Sequence, residues 1–292
     1  MNVAALSTGD LLSGLSDLIL APYSDCAELR RRFRVEYLPL VDDPSEIGMN
    51  YEQHWLTTPS GTRLQLWYLP ANLDRGTVVY SIGSAGDMRC YLFSALLLVG
   101  NGWSVVMYDY EGYGLNAGTP SLDRLINNLT AVVAWARNHT GRERITLMGM
   151  SLGSIPSVAV AVQQPENVNG VILDSPVALK AQIERFGFVI PGQAGILINR
   201  LDANLLSDVI IQRLQQPLLV FSHELDPIST PDTVAALFES AGGPKVLVNY
   251  PGMGHASSQF VQTDSYLYYL DTFLNDIWLE EADRAATGLA AQ

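Results

Sequence analysis

Cysteine is scarce in this sequence: Cys26 and Cys90 are the only two among 292 residues. They stand far apart, and neither belongs to a Cys-x-x-Cys pair or to a Cys/His spacing typical of zinc sites. A disulfide framework of the kind that stabilises small secreted folds is therefore excluded. We expect two reduced thiols, and a single structural disulfide between them is the alternative left open.

Positive charge is also scarce, because 17 Lys and Arg stand against 30 Asp and Glu, giving a formal net charge of -13. Such a chain repels phosphate backbones, which excludes nucleic acid as a partner. No apolar run reaches the roughly 20 residues of a membrane span. The apolar stretch at residues 11–21 has no preceding Lys or Arg and is interrupted by Asp17, unlike a secretory leader. A cytoplasmic location is therefore expected.

Motifs that bind cofactors are missing as well. The sequence contains no phosphate-binding loop of the Walker type, no dinucleotide fingerprint and no zinc ligand set. We therefore expect chemistry carried out by side chains alone, with no cofactor and no metal.

Short apolar runs dominate the sequence from residue 77 onward, and segments of helix length separate them. Strands without polar and apolar alternation are buried on both faces, and their spacing requires crossover helices. The pattern predicts a mostly parallel, doubly wound α/β sheet. Upstream, residues 51–57 and 62–69 flank Pro59-Ser60-Gly61 and predict an antiparallel hairpin. The predicted buried strands are Thr77–Ser81, Ser104–Tyr108, Ile145–Met148, Gly170–Leu173, Leu218–Phe221 and Val246–Tyr250.

A single α/β domain is predicted over residues 46–282, with an N-terminal extension over 1–45 and a frayed tail over 283–292. More than forty residues separate Asp174 from the strand at Leu218, too many for a simple crossover. Residues 176–216 are therefore predicted to form a short helical insertion that resembles a lid. Its apolar side chains are Phe186, Phe188, Val189, Ile190, Ile196, Leu197 and Ile198.

The stretch Gly149-Met150-Ser151-Leu152-Gly153 is a G-x-S-x-G motif between an apolar strand and a helix-like run. A serine at such a tight turn projects its hydroxyl above the sheet, and the flanking glycines avoid collisions with neighbouring elements. The helix N-terminus also places backbone N–H groups near developing negative charge. The motif predicts Ser151 as a nucleophile. Pro156 predicts a local distortion of the helix that follows.

A serine hydroxyl needs a base to remove its proton, and the sequence has four histidines. His255 ends a glycine-rich loop after the last apolar strand, where the carboxyl edge of an open α/β sheet forms its sites. We predict His255 as the general base. Packing explains His54 and His139, and a solvated loop position is the interpretation of His223.

The imidazole needs a carboxylate that fixes its tautomer and stabilises its protonated form. Asp226 follows the apolar run Leu218–Phe221, and the order serine, acid, histidine suits this arrangement. We therefore predict Asp226 as the acid. Glu224, two residues away, and Asp174, at the end of the preceding strand, are the rivals.

Together these stretches resemble the α/β-hydrolase family, in its branch of serine esterases and lipases, over about residues 50–280. Besides the serine motif, the resemblance rests on residues 81–86 and on Tyr108-Asp109-Tyr110-Glu111-Gly112-Tyr113-Gly114, which is similar to the D-x-x-G-x-G/S segment of that branch. The resemblance implies the α/β-hydrolase fold.

The resemblance also implies an oxyanion hole made by the backbone N–H groups of Leu152 and Ser84. Ile82 stands where members of the family often have histidine. Gly83 or Ala85 are therefore alternatives to Ser84.

The function implied by the resemblance is that of a carboxylesterase that acts through an acyl-enzyme on Ser151. The apolar insertion predicts small to medium hydrophobic esters as the small-molecule partner. The alternatives are a thioesterase, a hydrolase of carbon–carbon bonds in ring-cleavage products, an amidase or aminopeptidase, and a binding protein without catalysis. A homo-oligomer is left open.

Overall fold

Eight strands form the central sheet in the part of the chain that the computed structural model describes, namely residues 19–20, 26–27, 41–186 and 194–287. The strands are β1 (Glu52–Thr57), β2 (Arg63–Leu69), β3 (Gly76–Ser81), β4 (Trp103–Tyr108), β5 (Ile145–Met150), β6 (Val168–Asp174), β7 (Leu218–His223) and β8 (Lys245–Tyr250). Their order in the sheet is β1-β2-β4-β3-β5-β6-β7-β8. Strands β1 and β2 form an antiparallel hairpin that joins β4, and the remaining pairs are parallel. The predicted mostly parallel sheet with an antiparallel start is confirmed.

Burial of the strands follows their composition. Every residue of β3, β4, β5, β6 and β7 is buried, because continuous apolar runs need cover on both faces. In the edge strands β1 and β8, exposed residues alternate with less exposed ones. Strand β3 lies between β4 and β5, so the chain reverses its winding direction there. Such switch points form ligand crevices at the carboxyl ends of the strands.

Helices cover the sheet and connect its strands. None of the described helices combines the length and the apolar character needed to cross a membrane. The last helix ends at Thr287, inside the tail predicted over residues 283–292, and the remaining tail residues lie outside the described part of the chain, so that fraying stays a prediction. The described α-helices are α1 (Leu92–Gly100), α2 (Leu122–Thr140), α3 (Ser154–Gln163), α4 (Leu179–Phe186), α5 (Ala194–Ile198), α6 (Ser207–Ile210), α7 (Pro231–Ser240), α8 (Ser258–Val261) and α9 (Thr263–Thr287).

The insertion over residues 176–216 contains α4, α5 and α6, as the helical prediction requires. Asp208 caps α4, because its carboxylate accepts hydrogen bonds from the backbone N–H groups of Lys180 and Ala181 at 3.2 and 2.9 Å. The Ser207 hydroxyl donates to the Val177 carbonyl at 2.7 Å and fixes α6 to the start of the insertion. Movement of this segment as a lid stays a prediction. The apolar residues Phe188, Val189 and Ile190 lie outside the described residues.

The two cysteines form a disulfide, so the prediction of two reduced thiols is wrong. Cys26 belongs to the N-terminal extension, and Cys90 lies in a 3₁₀ turn just after the loop that follows β3. Both are buried and pack against Ala85 and Tyr91. A sequence separation of 64 residues hid this pairing, because residues so far apart in sequence leave no local pattern.

Candidate active site

Ser151 lies at the sharp turn between β5 and α3 with a φ of 49°, a left-handed conformation that costs energy for a residue with a side chain. The flanking glycines permit this turn. A Cβ atom on Gly149 would lie 2.4 Å from the carbonyl oxygen of Gly153, and one on Gly153 would lie 2.1 Å from the carbonyl oxygen of Ser81. The sequence motif therefore forms the tight strand-to-helix turn that it predicts.

The predicted distortion near Pro156 is present as a 3₁₀ turn over Ser151–Gly153, after which α3 begins at Ser154. Pro156 thus lies in the first turn of α3, where a missing N–H costs little. The Ser154 hydroxyl donates to the Ser151 carbonyl at 2.6 Å and accepts from the Val177 N–H at 2.9 Å. This bridge ties the serine turn to the loop after β6.

His255 and Asp226 form a hydrogen-bonded pair. His255 Nδ1 lies 2.7 Å from Asp226 Oδ2, and the second carboxylate oxygen accepts from the backbone N–H groups of Ile228 and Ser229 at 2.8 and 2.9 Å. Burial alone would raise the pKa of Asp226, but these hydrogen bonds and the imidazole lower it below its usual value. The carboxylate is therefore ionised at neutral pH and can hold a charged imidazolium.

The two rival acids have other partners. Glu224 is exposed and accepts a hydrogen bond from the Gly252 N–H at 2.7 Å. Asp174 is fully buried and accepts from the Tyr266 hydroxyl at 2.9 Å. Of the three carboxylates, Asp226 is the one that contacts His255.

Topology brings the serine and the histidine to one edge of the sheet. Strands β5, β6, β7 and β8 are adjacent and parallel, so the residues that follow them gather at the same carboxyl edge. Within the described residues the Ser151 hydroxyl and the His255 imidazole share no hydrogen bond. Such bonds are often long before substrate binds.

The loop after β3 lies against Ser151. A Cβ atom on Gly83 would lie 3.5 Å from Ser151 Cβ and 2.7 Å from the Tyr91 hydroxyl. That hydroxyl donates to the Ala85 carbonyl at 2.9 Å and so stabilises the loop. The loop therefore lies beside the serine, and the assignment of the Leu152 and Ser84 backbone N–H groups as oxyanion donors stays a prediction.

The segment after β4 supports the same loop. The Tyr110 hydroxyl donates to the Ile82 carbonyl at 2.7 Å, and the Asp109 carboxylate accepts from the Met88 N–H at 2.8 Å. Gly114 has a φ of 52°, and a Cβ atom there would lie 2.1 Å from Asp109 Oδ2. Asp109 is thus explained by its hydrogen bond to the loop, and Gly114 by the lack of space for a side chain beside Asp109.

Comparisons with known proteins agree with this fold. Residues 73–211 match the family model described as serine aminopeptidase S33. The uncharacterized protein YfhR of Escherichia coli O157:H7 is 29% identical over 248 residues, which cover 81% of this chain and 85% of that protein. The esterase Pf2001 of Pyrococcus furiosus superposes with a TM-score of 0.68 at 18% identity, covering 81% of this chain and 94% of that one. The chain has the α/β-hydrolase fold.

One further solved structure bears on the insertion in this α/β-hydrolase fold. The protein XC6422 of Xanthomonas campestris, described as an α/β serine hydrolase without lid, superposes with a TM-score of 0.58 at 21% identity. The alignment covers 75% of this chain and 93% of that one. The common fold is therefore present in a relative that is described as lacking a lid.

His223 was expected in a solvated loop, and that expectation is wrong. The residue ends β7 and is fully buried, because β7 and β8 stay paired as far as His223 and Tyr250. Its Nδ1 lies 2.9 Å from the Ser175 hydroxyl oxygen, and its Nε2 lies 2.8 Å from that of Ser258. Burial lowers the pKa of His223, although the neighbouring Asp174 opposes the shift.

Ser175 is a site residue that the sequence analysis missed. Its hydroxyl oxygen accepts a hydrogen bond from the Ala256 N–H at 2.9 Å, directly beside His255. Its φ is 49°, and its carbonyl accepts from the Ser229 hydroxyl at 2.7 Å. Ser175 thus joins the loops that carry Asp226 and His255. The dipeptide Asp174-Ser175 at the end of an apolar strand is the only signal in the sequence that could have indicated it.

Two groups of side chains that could bind a metal ion occur in the described part of the chain. One consists of Cys26, Asp87 and Cys90, and the other of Glu52, His54 and His139. The cysteines of the first group are joined in the disulfide. Neither group includes the pair His255–Asp226 or Ser151.

Proposed function

We propose that this α/β hydrolase is a serine carboxylesterase with Ser151 as nucleophile, His255 as general base and Asp226 as the orienting acid. The observation that carries the proposal is the 2.7 Å contact between His255 Nδ1 and Asp226 Oδ2, at the sheet edge where Ser151 occupies a strained turn. An imidazole oriented by a buried carboxylate is the base that a serine nucleophile needs.

The proposed reaction has two halves. His255 accepts the Ser151 proton while Oγ bonds to the acyl carbon, and the former carbonyl oxygen becomes an oxyanion. The backbone N–H groups of Leu152 and Ser84 are proposed to hold this charge. The imidazolium then gives its proton to the leaving alcohol as the ester bond breaks. Water attacks the acyl-enzyme by the same route and releases the acid.

Apolar side chains near the acid favour hydrophobic esters. Leu225 and Ile228 flank Asp226 and are 64% and 44% exposed. Helix α4 reaches over this loop, because Gln182 donates to the Ile228 carbonyl at 3.2 Å and Arg185 donates to the Pro227 carbonyl at 3.2 Å. An acyl chain placed between α4 and this loop would cover exposed apolar surface, which supports small to medium acyl groups.

The test compares hydrolysis of p-nitrophenyl esters of increasing acyl length by the wild type and by Ser151→Ala. We expect the variant to lose at least about 10³-fold in kcat/KM, because the nucleophile is gone while binding remains. Ser240→Ala is the control, since this exposed serine ends α7. Unchanged turnover by a folded Ser151→Ala variant would remove Ser151 from the mechanism.

A second candidate is peptide or amide hydrolysis, favoured by the family description of a serine aminopeptidase. Aminoacyl p-nitroanilides, a thioester and a ring-cleavage diketone therefore join the panel. A higher kcat/KM on the anilides than on the esters would replace the esterase assignment. A protein that binds ligands without catalysis would turn over none of these substrates.

Location and assembly stay predictions. A cytoplasmic location is the prediction made from the sequence, but the Cys26–Cys90 disulfide counts against it, because such bonds are rare in reducing compartments. A homo-oligomer is likewise a proposal that a sedimentation measurement would decide.

A further inference from the structure

Two imidazoles and one carboxylate converge on the surface between strand β1 and the last turn of α2. His54 Nε2 lies 2.9 Å from Glu52 Oε2, and His139 Nε2 lies 3.2 Å from the same oxygen. The three potential ligand atoms all lie within 4.8 Å of one another. The proposed hydrolysis uses none of these residues, and packing was the interpretation of both histidines from the sequence.

Aromatic packing fixes both rings. The indole of Trp135 stacks on His139 with a centroid distance of 4.5 Å and an interplanar angle of 13°. The same indole lies 4.8 Å from the His54 ring, and Tyr68 packs edge-on against His139 at 4.8 Å. Rings held in this way lose little freedom when they bind a ligand, so the arrangement is preorganised.

The distances suit a zinc ion. Zinc binds imidazole nitrogen and carboxylate oxygen at about 2.0–2.2 Å in tetrahedral geometry, which separates neighbouring ligand atoms by roughly 3.3 Å. The observed separations of 2.9 and 3.2 Å from Glu52 Oε2 are close to this value, and the two imidazole nitrogens, which lie within 4.8 Å of each other, would approach it on binding. The net charge of -13 also attracts cations to the chain.

We propose that Glu52, His54 and His139 bind a divalent transition-metal ion, with zinc as the preferred ion and water in the fourth position. Each imidazole offers its Nε2 lone pair and keeps its proton on Nδ1, and the Glu52 carboxylate supplies the charge. The ion joins β1 to α2 and stabilises the N-terminal hairpin. Strands β2, β4 and β3 separate β1 from β5, so this site is distinct from the serine turn.

The experiment titrates zinc chloride into untagged, chelator-treated protein and follows heat by calorimetry. We expect one ion to bind at micromolar zinc, and the melting temperature to rise with it. Glu52→Gln and His139→Gln should each weaken binding at least about tenfold, because each removes one of three ligands. His255→Gln is the matched control, since it removes a histidine outside the cluster and should leave zinc binding unchanged.

Cobalt gives a second readout that does not depend on stability. A tetrahedral cobalt complex in the wild type should show visible absorption that is lost in Glu52→Gln and retained in His255→Gln. Ester turnover by Glu52→Gln should match the wild type. The proposal is overturned if the wild type binds no zinc, if both cluster variants bind it as tightly as the wild type, or if His255→Gln abolishes binding.

Discussion

Asp109 lies buried beneath the loop after β3, where its carboxylate accepts the Met88 N–H. Burial, together with the charge of nearby Asp87, raises the pKa of Asp109 to about 8. A carboxyl with a raised pKa stabilises the fold fully at pH values below its unfolded pKa, and this contribution is lost as the pH rises through the folded pKa. The contribution of Asp109 to the stability of the wild type is therefore lost between about pH 4 and 8.

Asp109→Asn tests this account. The amide keeps an oxygen for the Met88 N–H but carries no charge at any pH, so the variant should lack the decline. Each unit by which the pKa differs between the folded and unfolded states corresponds to about 1.4 kcal/mol. The unfolding free energies of the wild type and the variant should therefore diverge by several kcal/mol by pH 8. Urea unfolding from pH 4 to 9 measures it, with the exposed Asp123→Asn as control. Parallel curves for wild type and Asp109→Asn would contradict the account.

Individual residues differ in how far the sequence reveals them. Asp226 and His255 could be predicted because each follows an apolar strand in a loop, and the structure joins them. The burial of His223 could not be predicted, since it depends on pairing with Tyr250 in the next strand. Ser175 acts through a hydrogen bond to Ala256, 81 positions away. Contacts at such separation leave no local pattern.

At the scale of elements, continuous apolar runs predicted the buried strands, and the errors lie at their ends. Strand β6 was predicted from Gly170 but begins at Val168. Asn169 interrupts the apolar pattern, yet it is buried in the strand because the Thr146 hydroxyl donates to its side chain at 2.9 Å. A polar residue can lie inside a central strand when a neighbouring strand satisfies it.

The turn at Ser151 depends on close contact between elements, and Gly153→Ala tests that contact. The added methyl would lie 2.1 Å from the Ser81 carbonyl oxygen, so the end of β3 or the start of α3 must shift. We expect a loss of at least about 1–3 kcal/mol of unfolding free energy, measured in urea. Gly100→Ala is the control, because a Cβ atom there meets nothing within 4 Å. Equal stability of the two variants would show that the turn is not close-packed.

At the scale of the whole molecule, the fold class followed from the alternation of strands and helices, whereas the attachment of the N-terminal extension did not. The Tyr113 hydroxyl donates to the Leu20 carbonyl at 2.7 Å, and the Cys26–Cys90 disulfide lies beside Tyr91. Leu20 is thus held by Tyr113, and Cys26 is held near the loop that Tyr91 supports. Composition and spacing carry no information on such a path.

Covalent labelling by a fluorophosphonate tests the central claim that Ser151 is a nucleophile activated by His255 and Asp226. The Ser151 oxygen displaces fluoride from phosphorus, and His255 takes the proton. We expect one adduct per chain, mapped to Ser151 by peptide mass spectrometry, with no adduct in Ser151→Ala and strongly slowed labelling in His255→Gln. A wild type that does not react, or a Ser151→Ala variant that labels as fast as the wild type, would contradict the claim.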